Sequence, residues 1–347
     1  MTRASDAPSG AAPTLPTGVP LSDPALADRV AQRLAEVDAT LDEAVASTDA
    51  LADDAARHLV TAGGKRFRPL LTLLAGELGD GAQPQIVDAA VVVELTQVAS
   101  LYHDDVMDSA PVRRGAPAAH TVWGNTVAIL VGDLLFARAS ALVAGLGPEA
   151  VVLQSRTFER MCLGQLHETT GPGPDDDPVE HYLQVLSDKT ASLLATSARL
   201  GAMFGGCPDE IIEAVAAYGE KVGMAFQLAD DVLDIASSGA VSGKTPGTDL
   251  REHVPTMPVL LLRQRVTQGE GTPADAELLG RLDGDLSDDA ALAAVVADLR
   301  EHDVLAETRT LAVRWAREAA AELEVLPDGP VKEALTDLAT ALADRTV

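Results

Sequence analysis

Leu101-Tyr102-His103-Asp104-Asp105-Val106-Met107-Asp108 closes a long apolar run with an Asp-Asp-x-x-Asp box, and the fold follows from how that box is read. On a helix Asp104 and Asp108 are one turn apart and Asp105 lies three residues before Asp108, so the three carboxylates crowd onto one face. Two like charges about 4 Å apart cost on the order of 4 kcal/mol at dielectrics typical near a protein surface. Such a face has to be solvated, protonated or occupied by cations. Hard oxygen ligands on a stiff helix suit Mg2+, which keeps several waters and bridges to substrate phosphates.

With 33 Asp in 347 residues, one such box arises by chance roughly a third of the time, the ordinary risk of a short motif. A second copy, Asp230-Asp231-Val232-Leu233-Asp234, starts 126 residues later (230 − 104 = 126) and also follows an apolar helical run. Two carboxylate triplets in apolar surroundings are expensive without partners, so a pair of merely solvated faces explains them poorly.

The rest of the composition agrees with a helical frame around these boxes. Ala and aliphatic residues carry the 47% hydrophobic fraction, because aromatics reach only 3%. Alternating strand patterns are scarce and 3.6-residue periodicity is common, which predicts an all-α protein. A formal charge of −27 and a pI near 4.4 argue against nucleic acid and against an electrostatic grip on anionic lipid. A polyanionic substrate must therefore meet a local basic cluster. Cys162 and Cys207 form no paired-Cys metal motif, which fits packing roles in a reducing, cytoplasmic setting. Residues 1–20 are rich in Ala, Pro, Ser and Gly and lack an apolar core segment, so they read as a disordered tail ahead of a helical domain at 21–347. No transmembrane segment is expected.

Along the chain, Ser22-Asp23-Pro24 should cap a first helix whose stripe is Leu26, Val30, Leu34, Val37, Leu41 and Val45, either scaffold or oligomer interface. A second helix over 51–61 should stop at Gly63-Gly64. Gly63-Gly64-Lys65-Arg66-Phe67-Arg68-Pro69 then places three cations in four residues of an acidic protein. With free glycine backbone and a helix starting near Pro69, it suits a phosphate, or else a surface loop pairing with surplus acid. It is not a Walker A loop. Arg113-Arg114-Gly115 follows the first box at once, which makes sense if metal neutralises a diphosphate on one side and guanidinium on the other, or else if the arginines only pair with the aspartates themselves. Trp123 to Gly145 reads as one buried helix containing Asp133, and Gly164-Gln165 closes the next. Lys189-Thr190 sits in a Leu/Ala/Ser helix, where a lone lysine could simply snorkel to water. Gln227 stands one turn before Asp231, and Lys244 lies in a flexible loop after the second box. From Asp275 onward the pattern is packing.

Taken together, Gly64 to Pro69, the first box with Arg113-Arg114-Gly115, Gly132-Asp133, Gly164-Gln165, Lys189-Thr190, Phe226-Gln227 with the second box, and Gly243-Lys244 with Asp249-Leu250 resemble the trans-isoprenyl diphosphate synthase (polyprenyl synthetase) family. The resemblance covers nearly the whole chain after residue 20. It implies a single large helical bundle, usually a homodimer, whose two aspartate-rich helices face a central cavity. It implies that Asp104, Asp105, Asp108, Asp230, Asp231 and Asp234 bind Mg2+, three ions per site, bridged to an allylic diphosphate. By the same resemblance Arg113, Lys189, Thr190, Gln227 and Lys244 hold that diphosphate, and Lys65, Arg68, Gln97 and Arg114 hold isopentenyl diphosphate. The implied reaction condenses the two substrates into an all-trans polyprenyl diphosphate with no protein nucleophile.

Three positions depart from the family pattern. Val254 stands where a second lysine usually follows the second box, Gln97 where many long-chain members have His, and Glu168 where Asp usually follows Gly-Gln. Small Ala99 and Ser100 before the first box, with Ala137, Ala141 and Ala144 on the next helix, suggest an open tunnel and a long product, hexaprenyl to decaprenyl. A geranylgeranyl diphosphate synthase would share every catalytic residue. A terpene cyclase would need more aromatics than 5 Phe, 3 Tyr and 2 Trp, and a non-catalytic synthase subunit would lack a box.

Overall fold

The computed structural model describes residues 21–237 and 246–344; the tail at 1–20 and Lys244 lie outside the described residues. Helices dominate. The only strands among the described residues are Val112–Arg113 and Ala116–Pro117, an antiparallel hairpin pairing Val112 with Pro117 and Arg113 with Ala116. It turns the chain immediately after the first box.

Two long helices organise the rest, α4 (Pro84–Met107) and α10 (Asp209–Ala236), and each ends in an aspartate box. Helix α4 is apolar nearly all round, as a helix enclosed by others must be. It packs on α1 (Pro24–Ala44), α3 (Phe67–Gly76), α6 (Asn125–Gly145) and α9 (Ser192–Phe204). Helix α10 packs on α9 and on the helix Asp303–Glu322. Helix α3 meets α9 through a glycine and α10 through an aromatic pair. A Cβ on Gly201 of α9 would lie 2.0 Å from the Thr72 carbonyl oxygen of α3, so only glycine permits that approach. Phe67 and Phe226 stack with centroids 6.0 Å apart.

Helix α1 starts as expected, with the Asp23 side chain accepting from Leu26 N at 2.6 Å and Pro24 in the first turn. Its stripe from Leu26 to Val45 is buried in the chain's own core, which makes it scaffold. The segment from Asp275 onward packs as expected too: Leu278, Leu282, Leu292, Val295, Val296 and Leu299 join Val232 and Ile235 in an apolar cluster behind the second box.

One expectation needs correction. The buried helix from Trp123 to Gly145 is broken at Gly124, whose φ of 85° is open to glycine alone at little cost, into α5 (Ala119–Trp123) and α6. Helix α6 is also buried on one side only, with Ile129, Leu130 and Asp133 turned outward. Pro84–Met107 and Asn125–Gly145 are long and apolar enough to cross a bilayer by length and composition alone; the most apolar 18-residue stretch of the first is 72% buried in the protein and that of the second 33%, and neither makes a firm span.

Candidate active site

The C-terminal turns of α4 open onto a cavity of about 790 Å³. Gln97, Ser100, His103, Asp104 and Asp108 line it from α4, Phe226 and Gln227 from α10, and Arg68 from α3. Lys189 and Thr190 come from a five-residue π-helical turn, Ser187–Ala191, between the helix Pro178–Leu186 and α9. A larger groove of about 1010 Å³ lies among α7 (Pro148–Thr170), α9 and α10 but contains no box residue, so the smaller cavity is the chemical one.

Within the first box the three carboxylates divide their work. Asp104 and Asp108 line the cavity. Burial pushes the Asp104 carboxyl up to about 6, against the pull of Lys189 and with a push from Asp108. Asp108 is raised as well, again mainly by burial. Asp105 instead is fully buried and takes the Nε–H of Arg113 on Oδ1 at 2.6 Å, which aims that arginine at the cavity.

The second box divides in the same way. Asp230 is exposed on α10, one turn beyond the cavity-lining Phe226 and Gln227. Asp231 is buried and accepts from the Tyr182 hydroxyl at 2.8 Å and from Met257 N at 3.1 Å. Burial lifts its carboxyl to about 8 despite those donors. Asp234 receives Gly247 N on its carbonyl oxygen at 2.8 Å and Asp249 N on its carboxylate at 3.4 Å, so it holds the short helix Thr248–Arg251 that brings Asp249 to the cavity wall. Asp105, Asp231 and Asp234 are thus engaged in holding neighbours in place, while Asp104 and Asp108 line the cavity and Asp230 is exposed. Val254 engages through its backbone, its N–H donating to Asp249 O and its carbonyl accepting from Thr256 N, each at 2.9 Å.

The basic side is built around a residue the motif reading passed over. Glu94, 2% exposed in the apolar stretch of α4, accepts from Arg66 at 2.8 Å and from Arg114 at 3.2 Å. Arg66 and Arg114 both adopt left-handed backbone, φ 46° and 53°, to make this turn inward. Arg114 also lies against Gly64, where a Cβ would meet its guanidinium carbon at 2.9 Å. Lys65 is exposed and is not among the residues that line the cavity. Arg68 is different: burial pushes its guanidinium down to about 10, and among the described residues its Nε has no hydrogen-bond partner. A cation in that position is short of negative charge, and it lines the cavity. Lys189 meanwhile is held by Glu168, the position where Asp was expected.

Part of the cavity wall is aromatic. Phe136 of α6 and Phe158 of α7 meet with ring centroids 4.2 Å apart, and His103 lies 5.7 Å from Phe136. Ala137, Ala141 and Ala144, expected to leave the tunnel open, are exposed on the outer side of α6 instead. Ala99 is buried in the core, and Ser100 alone of the small residues faces the cavity. Periodicity could have given the face of α6, since Phe136 falls one residue from Leu135 and four from Gly132, both buried.

No three Asp, Glu, His or Cys side chains among the described residues come close enough to hold a metal by themselves. Mg2+ does not need that: it is commonly held by one or two carboxylates together with substrate phosphates. Two cavity carboxylates with raised pKa, all-oxygen in type and facing a buried cation-lined wall, fit such an ion.

An all-helical cavity walled by carboxylates on one helix end and by Arg68, Arg113 and Lys189 around it defines a protein built for diphosphates. The comparisons identify which kind. Residues 49–297 match the polyprenyl synthetase family. The chain is 44% identical to the nonaprenyl diphosphate synthase of Mycobacterium tuberculosis, over 96% of this chain and 97% of that one. Among solved structures it resembles a geranylgeranyl pyrophosphate synthase from Corynebacterium glutamicum complexed with calcium and isoprenyl diphosphate, with a TM-score of 0.84 at 42% identity, covering 94% of this chain and 99% of the other. A decaprenyl diphosphate synthase from Rhodobacter capsulatus superposes with a TM-score of 0.82 at 34% identity, covering 93% and 99%. The chain belongs to the polyprenyl synthetase family and is a prenyltransferase.

Proposed function

We propose that the enzyme condenses isopentenyl diphosphate with an allylic diphosphate and repeats the step to make an all-trans, long-chain polyprenyl diphosphate. The observation that carries this reading is the single cavity in which Asp104 and Asp108 face Lys189, Arg113 and the under-partnered Arg68. Asp104, Asp108 and Asp230 are the residues that would hold Mg2+, with three ions as the proposed complement. Bound Mg2+ would supply charge neutralisation to the departing diphosphate.

The chain's own residues do the rest. Arg113, Lys189, Thr190 and Gln227 hold the allylic diphosphate, with Lys244, which follows the second box in sequence, as a further contact. Arg68, Gln97, Lys65 and Arg114 hold isopentenyl diphosphate. The allylic C–O bond breaks with its electron pair leaving on diphosphate, and the isopentenyl double bond attacks the resulting cation to form the new C–C bond. A proton is then lost to the released diphosphate. Leu101, Phe136, Phe158 and Phe226 exclude water that would otherwise capture the cation.

Length is where the relatives divide, since their names run from geranylgeranyl to decaprenyl. The 44% identical nonaprenyl synthase, matched over nearly all of both chains, favours the long product. The aromatic pair Phe136–Phe158 favours a geranylgeranyl stop as the second reading. Incubation of the purified chain with Mg2+, farnesyl diphosphate and labelled isopentenyl diphosphate, with chain lengths resolved after dephosphorylation, separates them. A ladder of six or more units supports the first reading, a stop at four the second, and no elongation with any allylic primer overturns both.

The proposed assembly is a homodimer in the cytoplasm, joined through the exposed apolar faces of α5, α6 and α7. Val122, Ile129, Leu130, Val151 and Val152 are exposed there. Asp133 stands on the same side of α6, mostly exposed and 3.4 Å from His103. A carboxylate in the middle of that face suits a protein partner and is costly against lipid.

A further inference from the structure

Lys189 and Thr190 reach the cavity because the chain departs from α-helix over Ser187–Ala191. Isolated π-helical turns are rare and stand at functional positions more often than elsewhere. Relaxing this one to an α-helix would shift the register by one residue, and one residue is about 100° of helical rotation. Lys189 and Thr190 would then leave the cavity wall, so something must hold the turn.

The side chain that does so is Arg160 of α7. Its Nε donates to Asp188 in the turn at 2.8 Å, and its terminal nitrogens donate to Glu220 of α10 at 2.7 and 3.2 Å. The Ser187 hydroxyl accepts from the same guanidinium at 3.0 Å and donates to Glu220 at 2.7 Å. The second Asp188 oxygen accepts from Gln184 at 2.8 Å. Two glycines bring the helices close enough. A Cβ on Gly164 of α7 would lie 2.6 Å from the Lys189 amide nitrogen, and one on Gly223 of α10 would lie 2.5 Å from Ala191 Cα. Arg160, Ser192 and Glu220 face the larger groove, while Lys189 and Thr190 face the catalytic cavity, so the turn is the wall between the two.

We propose that Arg160, bridging Asp188 and Glu220, is a positioning residue that locks the π-helical turn in the register that presents Lys189 and Thr190 to the allylic diphosphate. This rests on the assignment of that wall to the allylic substrate. The isopentenyl side, built on α3 and Glu94, is not connected to the clamp by any contact described above.

The test compares Arg160→Met, Arg160→Lys and Gly164→Ala with wild type. Arg160→Met is expected to raise KM for farnesyl diphosphate about tenfold, as misplaced binding groups do, with KM for isopentenyl diphosphate within about twofold. Arg160→Lys recovers only part, because an ammonium cannot bridge both carboxylates with the same fork. Gly164→Ala, which displaces the turn directly, gives the same split. Loss of folded protein would lower kcat and leave both KM values alone. Equal changes in the two KM values, or none, overturn the proposal. Hydrogen exchange of the amides at 186–192 reads the clamp without any substrate: faster exchange there in Arg160→Met, with the remainder unchanged, supports it, and unchanged exchange overturns it. If wild type neither binds nor elongates an allylic diphosphate while that exchange does quicken, the reading of the site fails and the clamp stands.

Discussion

Asp104 is the residue at which the proposed metal binding and its pH limit meet. Its carboxyl is pushed up to about 6 by burial, so below that value it is protonated and a metal ion must displace the proton. At an ordinary carboxylate value that competition would begin near pH 4. The Mg2+ concentration for half-maximal activity should therefore rise on acidification, about tenfold at pH 5 relative to pH 7, for one displaced proton. A magnesium titration of initial rates across that range checks it, and a flat requirement would count against Asp104 as a ligand. Glu94 makes a second residue-level case. It joins two guanidiniums inside the protein, and removing one partner of a buried charge cluster costs about 3 kcal/mol. Glu94→Gln should lower the melting midpoint and raise KM for isopentenyl diphosphate, measured side by side. The aspartates and cations of the site were legible in the sequence because their chemistry is rare in apolar helices. Glu94 was not, because a single acid in such a run looks the same whether it is buried against arginines or turned to water.

At the scale of elements, helix faces decide what the cavity is lined with. Helix α6 turns Phe136 inward and Ala137 outward, so an aromatic contact with Phe158 lines the cavity where small alanines were expected. Phe158→Ala, and more so Phe136→Ala with Phe158→Ala, should shift the product ladder to longer chains at similar rates of first addition. Unchanged product lengths would show that the end of the tunnel lies elsewhere. Close approach between elements has its own signature in Gly201, where a Cβ would sit 2.0 Å from the Thr72 carbonyl oxygen. Gly201→Ala should force α3 and α9 apart and destabilise the protein by about 1–3 kcal/mol, the usual cost of overpacking, read from a denaturant midpoint. Existence of these helices followed from 3.6-residue periodicity. Their ends moved by a residue or two, and the π-helical turn at Ser187–Ala191 was invisible, because it is imposed by Arg160, Gly164 and Gly223 from two other helices.

For the whole molecule, the open question of assembly turns on the outward side of α6. Leu130 is 60% exposed and Ile129 42%, large values for such residues in a single chain. Leu130→Asp should shift sedimentation equilibrium from dimer toward monomer, and a wild type that sediments as a monomer would remove the basis for the proposed interface. What the sequence by itself determined is the all-helical class, the two aspartate boxes with their basic partners, and the family. Those depend on local periodicity and on residue types at short spacing, which are properties of the chain. Only the tertiary structure decided that Asp105, Asp231 and Asp234 hold neighbours while Asp104 and Asp108 line the cavity, that Phe136 and Phe158 meet in its wall, and that Arg160 holds the turn carrying Lys189. Each of these depends on how separate elements pack against one another, which no spacing along the chain encodes.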